Sequence, residues 1–168
     1  MNLSMYQASA PRFVNMLTNL SAILDKAQAH AEAKKIDPAV ILNLRLYPDM
    51  FPMKRQVQIA CDTAKGAVAR LAGVEVPKHE DNEETIADLK ARIAKTIDFV
   101  KTLKPAQIDG TEDKDIHLKL GPREVNYKGM QYLCGHALPN FYFHVTTAYD
   151  ILRHNGVELA KRDYLANP

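Results

Sequence analysis

The stretch LPNFYFHVTTAYDILRHNG, Leu138 to Gly156, decides the fold. At the α-helical angle of about 100° per residue, Leu138, Phe141, Val145, Ala148 and Leu152 gather on one side. His144 falls at one flank of that stripe, Tyr142 and Tyr149 at the other, and Phe143 points away from it. A helix that is apolar around most of its circumference is central to its protein or meets a second subunit. The expectation is a homodimer whose contact includes Phe143. Pro139 fits the first turn, and Asn155-Gly156 supplies residues that leave a helix readily. Arg153 and His154 suit its negative C-terminal end.

Upstream of this helix the pattern changes. In DIHLKLGPREVNY, Ile116, Leu118 and Leu120 alternate with His117 and Lys119, and Val125 and Tyr127 alternate beyond Gly121-Pro122. This period of two predicts a short β-hairpin with a solvated polar face. Before it, Ile86, Leu89, Ile93, Ile97, Val100 and Leu103 form a helical stripe. Asn82 or Asp81 would cap that helix, Pro105 would end it, and Asp88 and Arg92 would pair on its outer face.

Another helix is predicted over Pro52 to Ala72, ending at Gly73. Its inner face of Val57, Ala60, Cys61, Ala64, Ala67, Val68 and Leu71 is built from small residues. Gln56 lies at the flank of that face, Gln58 further out, and Asp62 almost opposite. The first long helix covers Pro11 to Lys35, with Ser9 as its cap, and Asp37-Pro38 starts a short turn or helix. Four helices with short connections describe an all-α, antiparallel four-helix bundle, with the hairpin inserted before the last helix. The expectation is one domain over residues 1–168.

Composition excludes several classes of function. Apolar residues at 46% and charged residues at 25% are ordinary for a globular protein. A net charge of +2, with the signs interspersed, argues against nucleic acid and anionic membranes as partners. No run approaches the roughly 18 apolar residues of a membrane span, and no charged-then-apolar leader opens the chain, so a cytoplasmic location is expected. Cys61 and Cys134 have no zinc spacing and are expected to be buried reduced thiols. Gly-rich phosphate loops, G-x-S-x-G, H-E-x-x-H and Glu-x-x-His are absent.

His144 is the candidate for chemistry. A histidine at a core boundary can be a hydrogen-bonded core residue, a metal ligand or a general base. Asn140 lies one turn before it on the same face, and an amide is a poor ligand for Zn²⁺ or Ni²⁺. Gly135 and Pro139 predict a break that separates His136 from this row.

The segment ALPNFYFHVTTAYDILRHNGVELAKRDYL resembles the signature of an uncharacterised bacterial domain-of-unknown-function family. YPDMFPMKRQVQIACDTAKGAVARLAG is similar to that family's second-helix segment. The family falls in the DinB-like, YfiT-like superfamily, and the resemblance spans essentially the whole chain. It implies a four-helix bundle and, in many members, three histidines around a divalent metal. One comes from the second helix and two from an H-x-x-x-H pair on the last. In this sequence His144 falls on the second member of that pair, Asn140 on the first, and the second helix has no histidine. The expected site is therefore a polar spot of His144, Asn140 and Gln56 in an apolar pocket that takes a small molecule, with no metal and no cofactor. The alternative is a metal-dependent hydrolase or thiol transferase of the DinB-like kind.

Overall fold

The computed structural model describes residues 3–165; residues 1–2 and 166–168 and the side chain of Leu120 lie outside the described residues. The chain is mostly helical, with one two-stranded antiparallel hairpin. Ser4 and Gln7 form a capping box around α1 (Met5–Ala8). α2 (Ala10–Lys34) follows directly, with Pro11 in its first turn. Ser9 does not cap it through its side chain. Because α1 occupies the preceding residues, the Ser9 hydroxyl donates back to the Met5 carbonyl at 2.7 Å instead. Asp37 caps α3 (Pro38–Asn43), accepting from the Ala39 N–H at 2.9 Å. α4 (Met53–Ala72) stops at Gly73, whose φ of 73° is a left-handed conformation that glycine adopts without a Cβ clash.

α5 (Ile86–Thr102) begins later than a cap at Asp81 or Asn82 would place it. Thr85 is the cap, and with Asp88 it closes a capping box. α6 (Pro105–Ile108) leads to the hairpin of β1 (Asp115–Leu120) and β2 (Arg123–Lys128). Ile116 stands opposite Tyr127 and Leu118 opposite Val125. Ile116 and Leu118 are buried, while His117 and Lys119 face solvent.

The expected break at Gly135 and Pro139 does not occur. α7 (Gly129–Tyr132) runs through a π turn (Leu133–Ala137) into α8 (Leu138–His154). The Leu138 N–H bonds to the Leu133 carbonyl, a five-residue step. This change of register comes just ahead of Pro139, which has no N–H to pair, so the helix passes the proline. The π turn also shifts which residues face the core. Cys134 is exposed there, against expectation, while Cys61 is buried as expected. α9 (Lys161–Leu165) closes back on α2, where the Asn19 amide donates to the Tyr164 carbonyl at 3.0 Å.

Among the described residues α2 packs on α5, α5 on α4, α4 on α8, and α8 on α2. Phe13 of α2 meets Phe141 of α8 edge-on, ring centroids 4.8 Å apart. Each such buried ring contributes roughly 1.5–3 kcal/mol relative to exposure. On α4, Ala60, Ala64 and Ala67 are wholly buried. Side chains that small let the neighbouring helices approach closely, and α8 thereby comes near enough for Gln56 to reach His144.

Candidate functional site

A buried polar pair, His144 and Gln56, joins α8 to α4. His144 is 7% exposed and Gln56 1%. The His144 Nδ1 lies 2.6 Å from the Gln56 Oε1. The Gln56 Nε2 donates to the Phe51 carbonyl at 2.9 Å, and this bond turns the amide oxygen toward the imidazole. An oxygen there can only accept, so Nδ1 carries the proton and Nε2 keeps a lone pair. Burial, and then the nearby Arg55 guanidinium, push the His144 pKa down to about 4. The ring is therefore neutral around neutral pH, with one defined acceptor.

A recess of about 180 Å³ adjoins this pair, lined by Asp49, Met50, Phe51, Gln56, Phe143 and His144. Phe51 and Phe143 are each 55% exposed. The Phe143 ring stands edge-on to the His144 ring at 5.2 Å. The structure thus brings together two of the three residues singled out from the sequence. Asn140 lies one helical turn away, and its Nδ2 donates to the Thr63 Oγ1 of α4 at 2.9 Å. It spans the same helix pair and does not line the recess.

A second polar cluster lies on the other side of α4, and sequence reasoning missed it. Arg92 was expected on the outer face of α5, paired with Asp88; it is 4% exposed, and Asp88 instead serves the helix cap. The Arg92 guanidinium meets Glu83 at 2.8 Å, Asp62 at 2.8 Å and Asp81 at 3.0 Å. It also donates to the Glu80 carbonyl at 3.0 Å. Lys65, 5% exposed, pairs with Asp62 at 2.7 Å. Gln58 is buried too, donating to Glu83 at 2.7 Å. Asp62, whose place opposite the apolar face predicts a solvated charge, is instead an anion shared by Arg92 and Lys65. These bonds tie the non-helical segment 74–85 across α4 and α5. His79 in that segment has both ring nitrogens enclosed without a partner, and burial followed by Lys65, Lys95 and Arg92 lowers its pKa to about 4. The missed signal was spacing: Arg92 sits three residues after Leu89 and four before the buried Thr96, on the inward stripe.

The three-histidine metal set implied by the sequence resemblance does not fit these residues. The Gln56 oxygen already accepts from His144, and the Asn140 amide directs an N–H toward Thr63. Neutral amides are weak ligands for ions that favour imidazole. Among the described residues no group of three His, Cys, Asp or Glu side chains could hold a metal ion.

Mostly helical architecture, a hairpin before the last long helix, and a polar pair between α4 and α8 define a DinB-like helical protein. A crystal structure of a DinB family member protein from Shewanella denitrificans is similar to this chain. The two share 46% sequence identity with a TM-score of 0.87, over 97% of this chain and 92% of that one. Residues 5–165 match the family described as Domain of unknown function (DUF1993), and the chain belongs to that family. No curated protein matches it. Among the described residues no helix is long and apolar enough to cross a membrane.

Proposed function

We propose that the chain is a DinB-type antiparallel four-helix bundle, folded as one domain and working in the cytoplasm. It binds a small organic molecule in the recess at His144 and Gln56, with Asn140 as a flanking support, and uses no metal ion. The observation that carries this reading is the locked imidazole. Gln56 holds the Nδ1 proton, and the free Nε2 lone pair belongs to a ring that lines an aromatic-walled recess. Elemental analysis of the desalted protein is the test, with less than about one-tenth equivalent of Zn, Ni or Mn expected. A full equivalent, lost in His144→Ala, would replace this reading with a DinB-like metal-dependent hydrolase or thiol transferase.

Two copies pair through the Phe143 face, with the recess at the edge of the contact. Phe51 and Phe143 are exposed side by side at the recess, and the loop that enters α4 exposes Leu46 (41%) and Tyr47 (66%) as well. Light scattering checks it: a dimer is expected for the wild type and a monomer for Phe143→Asp. A monomeric wild type removes the pairing.

A further inference from the structure

At His144 the recess makes one hydrogen-bonding demand. Gln56 occupies the Nδ1 proton, so the ring offers only the Nε2 lone pair, and that atom asks for a donor. Around it the walls of Met50, Phe51 and Phe143 are apolar. Charged ligands are poorly served. The Arg55 guanidinium is near enough to disfavour positive charge at His144, and the Asp49 carboxylate on the lining disfavours an anion. The volume, about 180 Å³, is below the roughly 300–1,000 Å³ of sites that enclose drug-sized ligands. It suits a single ring.

We propose that the site takes a neutral, single-ring molecule bearing a hydroxyl group, of the phenol class. Its O–H donates to the His144 Nε2, and its ring lies against Phe51 and Phe143. This rests on the recess being a ligand site and adds the chemical class of the ligand. No bond is made or broken: the hydroxyl keeps its proton and the imidazole accepts a hydrogen bond. Aromatic walls favour the ring through offset or edge contacts, and the unprotonated nitrogen distinguishes a hydroxylated ring from a bare one.

Solution NMR of the full chain with ¹⁵N-labelled histidine tests both parts. In the free protein the His144 resonances should report a protonated Nδ1 and an unprotonated Nε2; the opposite tautomer overturns the proposal. The protein is then titrated separately with p-cresol, toluene, benzylamine and benzoate. p-Cresol should move the Nε2 resonance saturably, and toluene should bind about five- to tenfold more weakly, the worth of one hydrogen bond. Benzylammonium and benzoate should bind more weakly still. Phe143→Ala, at a half-exposed position that spares the core, should weaken p-cresol several-fold while keeping its advantage over toluene. Toluene binding as tightly as p-cresol, or a preference for either ion, with shifts confined to His144 among the histidines, overturns the ligand class and leaves the recess a binding site. No response at the His144 nitrogens to any of the four removes the recess as a ligand site and this proposal with it.

Discussion

The Arg92 cluster and the His144–Gln56 pair both bury polar atoms against α4, and they do so by different means. Around Arg92 the groups are ionic and share partners: Asp62 serves two cations, and Glu83 serves Arg92 and Gln58. Four partners hold the two terminal nitrogens of the guanidinium, and the result is a latch that ties segment 74–85 to two helices. At His144 the groups are neutral, the pairing is a single bond, and one ring nitrogen keeps its lone pair. Buried ions need their partners to offset desolvation, and the terminal nitrogens of Arg92 are already taken by theirs. A neutral pair with an unused acceptor beside a recess has something to offer.

The largest expected effect breaks the latch. Arg92→Ala leaves Glu83 buried without its cation and should cost about 3–5 kcal/mol in a urea titration. A loss under about 1 kcal/mol would mean that the cluster behaves as an exposed ion pair, and the contrast with His144 would vanish.

A smaller effect separates the regions by pH. His144 titrates near 6.5 when unfolded and near 4 when folded. On acidification the unfolded chain therefore takes up the proton first. The contribution of His144 to stability falls as the pH drops below about 6.5 and goes on falling to about 4. Between about pH 7 and about pH 5 this amounts to about 2 kcal/mol. His144→Gln should remove that share and leave the parts due to His79 and His136, which shift the same way. Urea midpoints that change identically with pH in wild type and variant would show that His144 is not held neutral by the fold.

The smallest effect belongs to the surface. Phe143→Asp, at a position 55% exposed, should change the stability of the isolated chain by no more than about 0.5 kcal/mol. A dilution series of thermal melts measures it. A larger loss at the lowest concentration would make Phe143 part of the core rather than of an outward face.

Much of the fold was readable residue by residue. Phe141, Val145, Ala148 and Leu152 are all buried, as the 3.6-residue pattern predicts, and so are the small residues of α4. Alternation located the hairpin, and Gly73 marked the end of α4. The failures share a cause. Asp81 and Asn82 were reasonable caps, but Thr85 has the partner, Asp88, at the spacing a capping box needs, while Asp81 bonds to Arg55 and Arg92 instead. Gly135 and Pro139 looked like breakers because the reading assumed one hydrogen-bond register, and a π turn changed it. Arg92 looked external because its charge outweighed its position on the stripe.

Periodicity, caps and turn residues act over a few positions, and by themselves they determined where the helices and the hairpin lie and which face of each is apolar. They also drew attention to His144. Only the tertiary structure decided what the buried polar groups meet. Gln56 is separated from His144 by 88 residues, Asp62 from Arg92 by 30 and Gln58 from Glu83 by 25. A hydrogen bond between helices depends on how closely and at what height they pack, and no local pattern of side chains carries that information.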